Sequence, residues 1–299
     1  MRALADFIAL ARPAHWIKNG FVLMGLLFGH GWNNPPLLRD VWFCFAAFCL
    51  VSSAVYAFND FMDREADRAH PKKRERPVAS GAISGSAALI FAICLALGGL
   101  ALAATASTIA VGLVLAYIAL NLGYSLGLKH VVVLDVFLIS AGFMLRILVG
   151  TLGIGIEPSN WLIFCGFTLT LFLGFVKRRS ELAGLQLPLA EDSPPGARVP
   201  TRKVLSLYRL HWLDKMIAVC AGCAVLAYGL YTIDARTIAL HGTTELWLTV
   251  PLVAYGIGRY LWTLYRHGRG ADPAAQLWRD PHLLGTLLGW LALTAWLIA

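Results

Sequence analysis

The chain has 299 residues, of which 58% are hydrophobic and 14% charged, where a soluble domain carries roughly 25% charged residues. Lys and Arg outnumber Asp and Glu by 25 to 17, a formal net charge of +8. With a mean hydropathy of +0.67, these values exclude an ordinary soluble domain and point to an integral membrane protein.

Nine apolar stretches approach the roughly 20 residues needed to cross a hydrocarbon core. They cover 19–32, 40–58, 84–105, 108–127, 131–152, 160–176, 212–233, 245–265 and 282–299, the first being the shortest. They predict an all-α polytopic protein, a single integral-membrane domain over 1–299. Trp16, Trp32, Trp42, Trp161 and Trp212 fall near expected span ends, where amphipathic rings favour the interface.

An odd number of spans puts the termini on opposite sides. One side would hold Arg2, Arg12, Lys18, the basic residues of 64–76, Lys129, those of 177–215, and Arg266, Arg269 and Arg279; the other holds only Arg39 and Arg236. By the positive-inside rule the N-terminus is cytoplasmic, and the expected location is an inner (plasma) membrane of bacterial type. These cations read as orientation signals rather than a nucleic-acid surface. All six cysteines fall inside apolar stretches, so no disulfide framework is expected, and the Cys220/Cys223 pair lacks the partners of a metal site. No removable signal peptide is expected.

In so apolar a chain the polar clusters at span ends carry the information. Asn59, Asp60, Asp63 and Asp67 follow the second span, and nothing before Pro71 would break its helix, so the helix is expected to continue through Asp67 with all four on one stripe. Crowded carboxylates there either pair with neighbouring arginines or hold a hard cation such as Mg²⁺, which takes one or two carboxylates plus phosphate and water oxygens. The basic loop with Lys72, Lys73, Arg74 and Arg76 beside the stripe suits a magnesium-bound polyphosphate. After the sixth span, Lys177, Arg178 and Arg179 precede the longest loop, 184–203, and serve either phosphate binding or topology. Tyr124 and Lys129 flank a short cytoplasmic turn, and Arg146 lies at membrane depth, where arginine is costly and marks function.

The string Asn59-Asp60-x-x-Asp63-x-x-x-Asp67, followed by Arg76-Pro77-x-Ala79-Ser80-Gly81, resembles the UbiA-type intramembrane prenyltransferase superfamily. That resemblance implies nine helices around a central cavity opening to the cytoplasmic face. Ordinary members carry a second aspartate-rich motif after the sixth span; here Lys177-Arg178-Arg179-Ser180-Glu181-Leu182 stands there, and no DxxxD occurs between Lys177 and Lys215. This change looks like the decaprenyl-phosphate phosphoribosyltransferase branch. So do Arg12-Pro13-x-x-Trp16-x-Lys18-Asn19, Leu128-Lys129-His130, Phe143-x-Leu145-Arg146, Arg259-Tyr260 and Arg279-Asp280.

The resemblance implies transfer of 5-phosphoribose from phosphoribosyl diphosphate to a polyprenyl phosphate, releasing diphosphate, with Mg²⁺ or alternatively Mn²⁺ as cofactor. Asn59, Asp60, Asp63 and Asp67 would hold the metal, with Asp60, Asp63 and Lys177 central to catalysis. Arg76, Lys129, Lys177 and Arg178 would meet phosphates, Tyr124 the ribose or a phosphate, and Lys18 and Asn19 the lipid phosphate, with Arg146 a further substrate-binding candidate. A homo-oligomer is compatible with this reading. The alternatives are a UbiA-type enzyme attaching an isoprenyl group to an aromatic or other small acceptor, and a transporter, which would instead show broken helices near the midplane.

Overall fold

The computed structural model describes residues 2–28, 33–69, 73–186, 203–267 and 273–298, and within them every regular element is helical. The end of the first expected span (29–32), Lys72 of the basic loop and residues 187–202 of the long loop lie outside the described residues. By its contacts the chain divides into two compact units.

The first unit runs from Met1 to Val131 and resumes at Leu145–Glu157. Helix α1 (Arg2–Ala11) leads into a 3-10 segment (Pro13–Leu23), the short α2 (Met24–Phe28) and the long α3 (Pro35–Met62), followed by α4 (Arg64–Arg68). Then come α5 (Gly85–Ala106), α6 (Thr108–Leu126) and, from Leu145 onward, the second part of α7 (Leu134–Val149). At about 1.5 Å per residue the 28 residues of α3 span about 42 Å, more than the thickness of a hydrocarbon core. Asn34 caps its start by accepting the Leu37 N–H, and Pro35 sits at the first position, where its missing N–H costs nothing.

Helices α5 and α6 form a hairpin whose one-residue corner is Ser107. Its hydroxyl caps α6 by accepting the Ala110 N–H and donates to the Gly153 carbonyl. Val41, Cys44, Phe48 and Val51 of α3 pack with Val22, Val114, Tyr117 and Val149 to form the core of this unit. Close approach depends on small residues. A Cβ on Gly99 would lie 2.4 Å from Val51 Cγ2, so α5 can seat on α3 only with hydrogen at that position. A Cβ on Gly25 would lie 1.9 Å from the Gly150 carbonyl oxygen, and one on Gly150 1.8 Å from the Val22 carbonyl oxygen.

The second unit comprises Val132–Met144, Pro158–Leu187 and Pro200–Ala299. It contains the start of α7, α8 (Asn160–Gln186), α9 (Leu210–Ile233), α10 (Ala235–His241), α11 (Val250–His267), α12 (Pro273–Arg279) and α13 (Pro281–Ile298). Its core joins Val136, Phe172, Phe175, Leu213, Ile217, Tyr260, Leu264 and Leu283.

Seven described helices are long and apolar enough to cross a membrane, and they coincide with seven of the nine expected spans. The other two differ for physical reasons. Stretch 19–32 is not one α-helix: Pro13 starts a 3-10 segment, and α2 begins only at Met24. Stretch 245–265 is a 3-10 turn (Glu245–Thr249) joined to α11, whose apolarity is diluted by Arg259, Thr263 and Arg266.

Gly150→Ala should lower the melting temperature in detergent, because the added methyl forces two backbones apart at a cost of about 1–3 kcal/mol. Gly112→Ala, with nothing within 4 Å of the new Cβ, serves as the control and should not destabilise. Equal melting of the two variants would contradict the close contact.

Candidate functional site

The acidic motif lies where α3 ends. The helix stops at Met62, because Asp63 adopts φ −89° and ψ 3°, and α4 begins again at Arg64, so the expected unbroken helix through Asp67 is not formed. The N–H groups of Asp63 and Asp67 still bond to the carbonyls of Asn59 and Asp63, so helical phase is nearly kept across the break. Helical spacing keeps the four polar residues within an arc of about 100°, and their partners divide them into two sets, Asp60 with Asp67 and Asn59 with Asp63.

In one set Asp60 and Asp67, 3% and 2% exposed, share the Arg76 guanidinium, whose Nη1 lies 3.1 Å from Asp60 and 2.6 Å from Asp67. Arg12 adds a 2.6 Å bond to Asp60 and lies 5.3 Å above the Tyr56 ring, and Lys73 stands 3.8 Å from Asp67. In the other set Lys129 Nζ lies 3.1 Å from Asp63, and the Ser125 hydroxyl donates to the Asn59 side-chain oxygen. Three carboxylates are thus matched by four cations, Arg12, Lys73, Arg76 and Lys129.

Arg76 reaches this position because the segment that follows it is pinned. Val78 and Ile83 are buried against Leu10, Ala57, Ala88 and Ala92, and Arg68 donates to the Ala79 carbonyl at 3.1 Å. The turn closes through Gly81 at φ +84°, a left-handed conformation that glycine adopts without a Cβ penalty. Among the described residues no three His, Cys, Asp or Glu side chains converge as metal ligands. The donors do fit Mg²⁺, which needs only one or two carboxylates when phosphate oxygens complete its shell.

Other expected site residues occupy different surroundings. Asn19 is fully buried rather than at the membrane face: its amide N–H₂ lies 3.3 Å from both Cys49 Sγ and Ser52 Oγ, and its oxygen accepts from Arg146 Nε at 2.8 Å. Arg146 also donates to Tyr117 Oη at 2.9 Å, with its guanidinium 4.7 Å from that ring's centroid. The intramembrane arginine is therefore held by an amide, a phenol and an aromatic face. Lys18 lies 3.0 Å from His15 Nδ1, and Tyr124 is half-buried near the end of α6.

In the second unit Lys177 is half-buried and Arg178 wholly buried. Arg178 pairs with Asp135, itself 0% exposed, and with Glu181. Its guanidinium is enclosed by these carboxylates, where the sequence predicts contact with a phosphate. Tyr208 donates to the other Asp135 oxygen at 2.6 Å and accepts the Val133 N–H at 2.7 Å. Burial, and then the bond to Asp135, push the Tyr208 pKa up, so the phenol keeps its proton. Val133 is held at φ +69°, a left-handed conformation costly for a β-branched residue. Sequence reasoning missed Arg12, Ser125, Asp135 and Tyr208 as site components. The Arg12-Pro13 corner was the only signal for any of them.

Fold and site together define an all-helical integral membrane protein with a cation-ringed acidic helix end. The sequence profile of the UbiA prenyltransferase family matches residues 20–280, and the chain belongs to that family. It is 34% identical to the decaprenyl-phosphate phosphoribosyltransferase of Corynebacterium glutamicum, over 90% of this chain and 78% of that protein. Against the Mycobacterium tuberculosis H37Rv protein of the same name it is 30% identical, over 97% and 93%. The nodulation protein NoeC of Azorhizobium caulinodans is 30% identical over 93% and 88%. A UbiA homolog from Archaeoglobus fulgidus, solved with DMAPP and Mg²⁺, shares the fold with a TM-score of 0.73 at 18% identity, covering 98% and 99% of the two chains.

Arg178→Ala should destabilise the fold by about 3–5 kcal/mol, because it leaves the buried Asp135 without its cation. Lys177→Ala should change stability little. Chemical denaturation in mixed micelles distinguishes them, and equal stability of the two variants would place Arg178 outside the folding network.

Proposed function

We propose that the chain transfers 5-phosphoribose from phosphoribosyl diphosphate to a polyprenyl phosphate of decaprenyl type at the cytoplasmic face of a bacterial inner membrane. The observation that carries the reading is the end of α3, where each motif aspartate meets a cation. The missing second acidic motif and the relatives named for this reaction support it.

The chemistry follows from the charges. The acceptor is a phosphate monoester, largely dianionic at neutral pH because its second pKa is near 6, so it attacks without a general base. An acceptor oxygen bonds to the anomeric carbon, the bond from that carbon to the diphosphate oxygen breaks, and diphosphate leaves with the electron pair. Arg76 and Lys129 stabilise the negative charge that develops on the leaving group, and Lys177 serves phosphate binding by its charge. Asn59, Asp60, Asp63 and Asp67 are the residues that would hold a divalent ion, which when bound would supply further positive charge to the diphosphate. Lys18 meets the acceptor phosphate, and Tyr124 orients the ribose or a phosphate. Asn19, Arg146 and Arg178 act by holding their segments in place, in keeping with their burial.

Purified protein given labelled phosphoribosyl diphosphate and polyprenyl phosphate should form a labelled lipid only with Mg²⁺ or Mn²⁺. Asp63→Asn and Asp60→Asn should each lower the rate by at least about 10²-fold with the fold preserved. Lys177→Glu should raise KM for the donor more than for the lipid. Isoprenyl transfer to 4-hydroxybenzoate with no lipid-linked sugar would instead favour ordinary prenyl transfer.

A further inference from the structure

Arg12 is one of two described non-glycine residues with positive φ, at φ +52° and ψ +58°. A left-handed arginine before proline is strained twice, since a Cβ disfavours that region and Pro13 biases the preceding residue toward extended backbone. Strain of this kind persists only when surrounding structure over-determines it. Here the Arg12 N–H bonds to the Ile8 carbonyl and its own carbonyl accepts the His15 N–H, and one buried hydroxyl from another helix adds bonds on both sides of the residue.

Ser53, 1% exposed, donates to the Ala11 carbonyl at 2.7 Å and accepts the Trp16 indole N–H at 3.0 Å. These two partners flank the Arg12-Pro13 corner, so one side chain of α3 grips the chain on both sides of the strained residue. A serine within a helix ordinarily bonds back to its own helix, as the adjacent Ser52 does to the Cys49 carbonyl at 3.2 Å. Ser53 has both its donor and an acceptor turned to another segment. On α3, Ser53, Tyr56 and Asp60 are three and four residues apart and share one face. The corner held at Ser53 lets the Arg12 side chain run along that face, over Tyr56, to end 2.6 Å from Asp60.

We propose that Ser53, with Trp16, is a positioning residue for the acidic site: by clamping the Arg12-Pro13 corner it fixes the Arg12 guanidinium on Asp60, and so the orientation of that carboxylate toward a metal-bound diphosphate. The inference rests on the reading of the α3 end as a diphosphate site, and is independent of whether the donor carries ribose or an isoprenyl chain. Residues that orient a metal-site ligand through such contacts typically change metal affinity by about 10–100-fold when altered.

The probe is magnesium pyrophosphate, which stands for the diphosphate of either donor, with binding read by calorimetry on the full-length protein in detergent. Ser53→Ala should weaken binding about tenfold or more, and Trp16→Phe, which replaces the indole by a smaller aromatic ring and removes one bond, should weaken it less. In an Arg12→Gln background, Ser53→Ala should produce no further loss, since the clamp would have no guanidinium to position. Equal effects of Ser53→Ala in the wild-type and Arg12→Gln backgrounds would overturn the proposal, as would unchanged affinity in Ser53→Ala. Should Ser53→Ala unfold, Trp16→Phe in the same two backgrounds decides the question. Absence of magnesium pyrophosphate binding by the wild-type protein would overturn the diphosphate reading itself, and the clamp with it.

Discussion

Arg76 stands between Asp60 and Asp67, and the end of α3 depends on that bridge. Two carboxylates almost wholly removed from water two turns apart would repel one another, and each would bear the desolvation cost of a buried charge. A planar guanidinium with several donors can satisfy both at once, which an ammonium cannot do as well. The break at Asp63, the loop pinned by Val78 and Ile83, and the left-handed turn at Gly81 all bring that guanidinium to its place.

The same solution recurs within the first unit at greater depth. Arg146 lies inside an apolar segment, and its partners include Asn19, Tyr117 and the faces of Tyr117 and Phe48. This ties the 3-10 segment to α7 at the point where Gly25 and Gly150 allow the two backbones to meet. A polar tie and a glycine contact act together: the hydrogen bonds need the close approach, and the close approach needs residues without a Cβ.

In the second unit Asp135, Arg178, Glu181 and Tyr208 form a connected buried network that secures the start of α7, the end of α8 and the segment entering α9. Truncating any one member strands the others, so such networks fix one arrangement of helices. Strained Val133 belongs to the network through its N–H, just as strained Arg12 belongs to the acidic site through its side chain. Both described non-glycine residues with positive φ therefore sit beside charged clusters, each held by a hydroxyl from another element.

The membrane character, seven of the spans and the position of the acidic motif could be read from the sequence because hydropathy over about 20 residues and helical spacing are local properties. The basic run at 177–179 was visible in the same way, but its division was not: Lys177 is half-buried, while Arg178 is enclosed by Asp135 from 43 residues away. The partners in the first unit were equally hidden, since Arg12 and Asp60 are 48 residues apart, Lys129 and Asp63 are 66, and Arg146 and Asn19 are 127. Such pairings depend on which helices can approach closely and where a corner turns. Those features arise from single glycines, a broken helix end and one bridging serine, none of which alters the local pattern of apolar and charged residues.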